Sequence, residues 1–135
     1  MFMKRIMIAL FALAALVSGA SAADEKNGCT NASIKGSYGL SLNGTTGGLP
    51  TAAVGLLTAD GEGNFSATFT ISVNGGVTTG VQAVGTYAVN PDCTGSATDS
   101  TDNLHYTLVV VRHGAEGFAI NTDSGNIYSG AFKKQ

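Results

Sequence analysis

Apolar and polar residues alternate along most of the chain after residue 36, with a period of two. The clearest case is NFSATFTISV, residues 64–73, where Phe, Ala, Ile and Val occupy the odd positions and Ser or Thr most of the even ones. This is the period of a β-strand with one buried face, and Thr, Phe, Ile and Val all favour strands. No stretch of ten residues after residue 22 has the apolar spacing of a helix. The pattern predicts an all-β protein.

Turn sequences separate the alternating segments at regular intervals. DGEGN (60–64), NGG (74–76), HGAEG (113–117) and DSGN (123–126) are rich in Gly, Asn and Asp. These residues tolerate the positive φ angles that tight hairpins require. We therefore predict eight strands, at residues 37–43, 52–59, 64–73, 77–89, 94–101, 104–112, 116–122 and 127–133.

Eight short strands joined by hairpins can close in two ways. An up-and-down β-barrel removes both sheet edges, and a two-sheet β-sandwich is the alternative. The hairpins follow one another without a long crossover, and the glycines inside strands suit the bends of a small barrel. We therefore favour the antiparallel eight-stranded barrel. Its interior is expected to contain no ionisable group except tyrosine, and to consist of Tyr38, Leu40, Phe65, Phe69, Ile71, Tyr87, Leu108, Val110 and Phe118.

Residues 1–22 have the features of a cleaved secretory signal peptide. A basic start, MFMKR, precedes the apolar run IMIALFALAALV, and SGASA ends in the A-x-A arrangement of a cleavage site. The apolar run is too short to span a bilayer. The mature chain is predicted to be one β-barrel domain, residues 23–135, secreted or periplasmic in a bacterium.

The charge of the mature chain limits its partners. Removal of residues 1–22 leaves five basic and nine acidic residues, and therefore a net charge of −4. The basic residues are scattered, which argues against nucleic acid as a partner. The chain has four tyrosines and no tryptophan for aromatic girdles, and its predicted loops are short, so a membrane-embedded barrel is not expected.

Cys29 and Cys93 are the only two cysteines. Export places them in an oxidising compartment, and we expect them to form a disulfide. Two free thiols, or one catalytic thiol, are the alternatives. Cys93 ends the sequence NPDC, which is typical of a type I turn with Pro91 at its second position. Gly95 is expected to take a positive φ and to begin the next strand through a bulge.

Four segments together resemble a group of small exported bacterial proteins of unknown function. They are CTNASIKGSYG (29–39), LTADGEGNFSATFTISVNG (57–75), GTYAVNPDCTGSAT (85–98) and SGAFKKQ (129–135). The resemblance covers nearly the whole mature chain, and its most specific element is the G-T-Y-x-V-N-x-D-C-T-G corner. It implies export and a β-barrel and transfers no catalytic residue. A looser similarity, of architecture only, is to lipocalin and allene oxide cyclase barrels.

Few residues in the chain indicate catalysis or metal binding. His105 and His113 are the only histidines, and eight strand positions separate them by about 26 Å, too far to share a metal. DGEGN begins like a calcium-binding EF-hand loop, but Phe65 stands where that loop needs glycine. Asp99 and Asp102 flank a predicted turn and are expected to be solvated. We expect no cofactor, no metal site and no catalytic residue.

The sequence supports two classes of function. The first is a non-catalytic secreted barrel that binds a small apolar ligand or an envelope partner, with a pocket at one mouth rimmed by Tyr38, Tyr87 or Tyr106. The second is a barrel enzyme of the isomerase or cyclase kind, which would need convergent polar groups in its cavity. A structural surface or matrix protein is a further alternative. We favour the non-catalytic barrel.

Overall fold

The computed structural model of the chain describes residues 28–135, so the predicted signal peptide lies outside the described residues. Eight strands follow one another, and their bounds differ from the predicted ones by at most three residues. They are β1 (Lys35–Thr46), β2 (Leu49–Asp60), β3 (Asn64–Val73), β4 (Gly76–Val89), β5 (Thr94–Asp99), β6 (Leu104–Val111), β7 (Glu116–Asn121) and β8 (Asn126–Lys134).

The strands form one closed barrel. Each strand pairs antiparallel with the next, and β8 returns to pair with β1 from Tyr38↔Lys134 to Thr46↔Asn126. The predicted up-and-down barrel is therefore confirmed, and the sandwich alternative is wrong. Closure removes the two sheet edges that would otherwise expose unpaired backbone groups.

The two ends of the barrel differ. At the plug end lie the turns at 61–63, 90–93 and 112–115, together with the plug, which we define as residues 28–34. The plug contains one turn of 3₁₀ helix, Asn31–Ser33, capped by the Thr30 hydroxyl. At the distal end lie the turns at 47–48, 74–75, 100–103 and 122–125. Asn74 and Gly75 both have positive φ, as a type I′ hairpin turn requires.

The core lies inside the barrel, and seven of the nine predicted interior residues belong to it or pack against it. Tyr38, Leu40, Tyr87, Leu108 and Val110 are buried. Phe65 and Phe69 are partly buried and pack against this cluster, and Ile71 is half-buried.

Phe118 is the exception, because its side chain lies on the outer surface with 50% exposure. On β7 it is the alternate residues Gly117, Ala119 and Asn121 that pair with interior positions of β6. The ring of Phe132 fills the space above Gly117, where a Cβ atom would overlap it. A small residue is therefore required inside, and Phe118 points outward.

Candidate ligand-binding site

The disulfide fastens the plug to the barrel. Cys29 and Cys93 are bonded to each other, as predicted. The backbone N–H of Cys29 also donates to the carbonyl oxygen of Pro91, at 3.1 Å. The side-chain oxygen of Asn31 accepts from the N–H of Val89, at 2.8 Å. The plug is thus joined covalently and by hydrogen bonds to the β4–β5 corner.

The corner itself differs from the prediction in one detail. The N–H of Cys93 donates to the carbonyl of Asn90 at 2.8 Å, so a turn lies at residues 90–93 as predicted. The positive φ belongs to Cys93 itself, at 71°, and Gly95 has none. Gly95 is needed for another reason, since a Cβ there would overlap the carbonyl oxygen of Ala88 on the paired strand.

Tyr87 and Tyr38, two of the three predicted ligand-binding residues, anchor the plug end. The Tyr87 hydroxyl accepts from the N–H of Gly61 at 2.9 Å and donates to the carbonyl of Ile34 at 2.7 Å. The Tyr38 hydroxyl donates to the carbonyl of Gly114 at 2.6 Å, and its side chain is fully buried. Both hydroxyls therefore have structural partners inside the protein.

A cavity of about 90 Å³ occupies the barrel interior. Its walls are almost entirely apolar, and they include Tyr87 and Tyr106 but not Tyr38. Ile34 of the plug lines it as well, which shows that the plug lies against one end of the cavity. The remaining walls are formed by Leu40, Leu42, Leu57, Ala59, Phe65, Ala67, Phe69, Ala83, Ala97, Asp99, Leu108, Ala119 and Phe132.

Asp99 lines this cavity, which corrects the expectation that it is solvated and that the interior has no ionisable group except tyrosine. It is only 6% exposed. Its register partner on β4 is Gly85, where a Cβ would meet the interior ring of Phe65. The Oδ1 atom accepts from the N–H groups of Thr101 (2.9 Å) and Asp102 (3.4 Å), and so holds the β5–β6 turn.

Tyr106, Tyr128 and Asn121 add further polar side chains on the strands near the distal end. The hydroxyls of Tyr106 and Tyr128 lie 3.3 Å apart, and their rings pack edge to face. Asn121, also buried, donates from its amide to Asp123 at 3.0 Å. Burial raises the pKa of Tyr106 well above its usual range, and the hydrogen bond with Tyr128 and the negative charge of Asp99 raise it further.

All four tyrosines are expected to resist ionisation in the folded protein. Burial is the largest cause of the raised pKa at Tyr38, Tyr87, Tyr106 and Tyr128. The folded state thus binds these protons more tightly than the unfolded chain, whose tyrosines titrate near pH 10. Their contribution to stability is complete below about pH 10 and is lost as the pH rises through the folded-state pKa values.

An alkaline titration that follows tyrosinate absorbance and circular dichroism together tests this expectation. Tyrosinate should form above pH 10 and together with the loss of the β spectrum, while a urea-unfolded sample should titrate near pH 10. Normal titration with an intact β spectrum would contradict the burial of the four hydroxyls.

Charge is distributed unequally between the two ends of the barrel. Asp99, Asp102 and Asp123 lie at or beside the distal turns, where the only basic side chain among residues 28–135 is that of His105. The cations within residues 28–135 lie at the plug end and are Lys35, Arg112, Lys133 and Lys134. The distal end is therefore acidic.

The two histidines lie outside the barrel. The side chain of His105 is exposed, and its Nδ1 lies 2.7 Å from Oδ1 of Asp123 on the surface. The backbone N–H of His105, and after it this side-chain contact, lowers the pKa of Asp123. His113 is exposed in the turn after β6, with φ of 56°, and does not continue the strand face of His105.

The predicted DGEGN hairpin is held by its own aspartate. Oδ1 of Asp60 accepts from the N–H groups of Glu62 and Asn64, and Oδ2 accepts from the Asn64 amide. Between residues 28 and 135 no group of three or more His, Cys, Asp or Glu could hold a metal ion. In the same range no helix is long and apolar enough to cross a membrane.

A groove of about 770 Å³ runs over the outer surface of β6, β7, β8 and β1. Its floor contains small residues such as Gly39 and Gly130, and the exposed side chains of Val109, Phe118 and Ile120 form one wall. The groove lies on the opposite side of the sheet from the interior cavity.

Comparisons of the chain with protein-family models, with curated proteins and with solved structures find no match. The function must therefore be argued from the geometry of the barrel.

Proposed function

We propose that this protein is an exported, non-catalytic barrel that binds a small, mainly apolar molecule in its interior cavity. The observation that carries the proposal is the cavity itself, whose walls are apolar except for Asp99 and two tyrosine hydroxyls. Apolar walls with a few polar groups that fix orientation are typical of small-molecule sites. The disulfide supports export, since disulfides persist in oxidising compartments.

The plug decides the route of entry in this proposal. One end of the cavity is covered by Ile34, which is buried and held by the Tyr87 hydroxyl and the disulfide. The ligand would therefore enter from the distal end, between the turns that carry Asp102 and Asp123.

The volume limits the size of the ligand. An eight-stranded barrel has an interior just wide enough to be filled by side chains or to hold one small ligand. An engineered apolar cavity of about 150 Å³ accepts benzene. The cavity here, at about 90 Å³, is smaller, and suits a short aliphatic molecule rather than a ring with substituents.

A variant that fills the cavity tests this proposal. Ala97→Val adds two methyl groups to the wall, and we expect it to weaken the binding of butan-1-ol by about tenfold or more, as for one methylene in an apolar pocket. Ala88→Val is the matched control, because Ala88 lies on the neighbouring strand with its side chain exposed. Binding is measured by the chemical-shift changes of backbone amides during titration.

Two results would contradict the proposal. One is the absence of any saturable shift change in β5 and β6 of the unmodified protein. The other is equal weakening by Ala97→Val and Ala88→Val, which would place the probe outside the cavity.

An isomerase is the second candidate function, and the position of Asp99 favours it. A carboxylate in an apolar cavity can act as a general base towards a bound carbonyl compound, with a tyrosine hydroxyl nearby as hydrogen-bond donor. We prefer the non-catalytic proposal because it follows from the apolar walls alone, whereas Asp99 already has a structural role in the β5–β6 turn through Oδ1. The test uses butanone with deuterium at its α carbons. Exchange of these deuterons for protons in the presence of the native protein, and no exchange with the Asp99→Asn variant, would favour the isomerase.

A further inference from the structure

Asp99 has one carboxylate oxygen that the fold does not use. Oδ1 holds the β5–β6 turn, whereas Oδ2 accepts no hydrogen bond from any described residue. Every fully enclosed side-chain oxygen or nitrogen of residues 28–135 has a hydrogen-bond partner. Oδ2 is therefore not sealed within the protein, and Asp99, which is only 6% exposed, is one of the residues that line the cavity.

The other turn-forming aspartates do not share this arrangement. Both carboxylate oxygens of Asp60 and of Asp123 accept hydrogen bonds. Asp92 uses only Oδ1, but its side chain is exposed rather than buried. Among the acidic residues that the structure describes, only Asp99 combines burial with an oxygen that has no partner.

No positive side chain of the part of the chain that the structure describes compensates this buried charge. Asp99 forms no ion pair with another described residue, and the lysines and the arginine lie at the plug end. A carboxylate taken out of water without a partner is costly, so a buried one is normally paired with a cation. Holding the β5–β6 turn does not require a negative charge at position 99. The side-chain carbonyl oxygen of an asparagine could accept the same N–H hydrogen bonds.

We propose that the cavity selects small aliphatic amines, with the ammonium group on Oδ2 of Asp99 and the alkyl chain among the apolar walls. This inference rests on the proposed function and specifies the chemical class of its ligand. The tyrosine hydroxyls of Tyr106 and Tyr128 lie at the same end of the interior and can accept further N–H bonds.

The charge of the distal end is an independent observation in favour of a cation. Asp102 and Asp123 lie on the two turns beside the proposed entrance, and among the described residues the only basic side chain there is that of His105, whose Nδ1 lies 2.7 Å from Oδ1 of Asp123. A rim of one sign of charge raises the local concentration of oppositely charged ligands and their rate of association. The rim therefore favours an ammonium ion and disfavours a carboxylate.

Titration with three probes of equal chain length tests the proposal: butan-1-amine as its hydrochloride, butan-1-ol and butanoate. The unmodified protein should bind the amine about ten- to hundredfold more tightly than the alcohol, as for a hydrogen bond to a charged group. Butanoate should bind most weakly. Asp99→Asn should reduce the affinity for the amine by a similar factor. Its affinity for butan-1-ol should stay within about threefold of that of the unmodified protein.

Asp102→Asn is the matched control. It removes the same charge from the same turn, but its side chain is exposed and makes no hydrogen bond to a described residue. Asp102→Asn should lower the affinity for butan-1-amine by no more than about threefold, as expected for a solvent-exposed charge. Thermal unfolding of both variants shows whether each still folds, and we expect both to do so.

The outcomes separate this inference from the proposed function. Equal binding of amine and alcohol, or amine binding unchanged in Asp99→Asn, would overturn the amine preference and leave the cavity as a neutral apolar site. Absence of binding by all three probes would overturn both. Equal losses in Asp99→Asn and Asp102→Asn would mean that only the surface charge acts, which also contradicts the proposal.

Discussion

Replacing Cys29 and Cys93 together by serine is expected to lower the free energy of unfolding by about 4 kcal/mol. The bridge joins positions 64 residues apart, and the entropy of closing a loop of that length in the unfolded chain gives this value. Domains of this size have total stabilities of about 5–15 kcal/mol, so the loss is a large share. Urea unfolding followed by circular dichroism measures it.

The effect should be largest at the plug. In the variant the plug keeps the Tyr87 and Asn31 hydrogen bonds but loses its covalent link. Amide hydrogen exchange of Ile34 should therefore accelerate more than that of Leu108 in the barrel wall. The native protein, unfolded in urea with and without a reductant, is the control, since reduction removes the same bond without a substitution. An unchanged urea midpoint in both comparisons would contradict a stabilising role for the disulfide.

The strands and their order could be predicted because two local signals agree. A period of two marks each strand, and residues that accept positive φ mark each hairpin. In β3 both ends were predicted at the observed residues, since Asn64 and Asn74 flank an uninterrupted alternation. Closure of the sheet into a barrel could be predicted because the hairpins follow one another in sequence. A closed barrel is then the arrangement that leaves no strand edge unpaired.

Hydrophobicity could not predict which face of β7 points into the barrel. EGFAIN alternates between Phe118 and Ile120 on one face and Gly117 and Ala119 on the other. Hydrophobicity alone would place Phe118 inside, but Phe132 from β8 already fills that space. Which of two faces is buried depends on neighbouring strands, and one strand's own sequence does not contain that information.

The position of Asp99 was missed although the sequence held a signal for it. Gly95, Ala97 and Asp99 alternate with Ser96 and Thr98, so Asp99 is in phase with the small residues that face the interior. Its place at the end of a strand, before a turn, suggested a solvated residue instead. Both interpretations are partly right, because one oxygen serves the turn and the residue lines the cavity.

Tyr38, Tyr87 and Tyr106 are predicted to bind a ligand because the sequence places them in the interior. The structure separates the tyrosines into two groups. Tyr38 and Tyr87 hold the plug end through hydroxyl groups bonded to backbone carbonyls. Tyr106 lines the cavity, as Asp99 does, and its hydroxyl lies 3.3 Å from that of Tyr128. The carbonyl partners Gly114 and Ile34 lie 76 and 53 residues away along the chain, a distance at which sequence patterns say nothing about contact.

Tyr38→Ala is expected to lower the free energy of unfolding by about 4 kcal/mol, as for other buried aromatic side chains replaced by alanine. Its ring is fully buried and packs edge to face on Phe132, with centroids 5.5 Å apart. Tyr38→Phe keeps that packing but leaves the Gly114 carbonyl without its donor, so about 1–3 kcal/mol should be lost.

Phe118→Ala is the control, because removing an exposed aromatic side chain should change stability by only about 0.5 kcal/mol. Urea unfolding of the three variants gives the comparison, and equal losses for Tyr38→Ala and Phe118→Ala would show that the core does not lie inside the barrel around Tyr38.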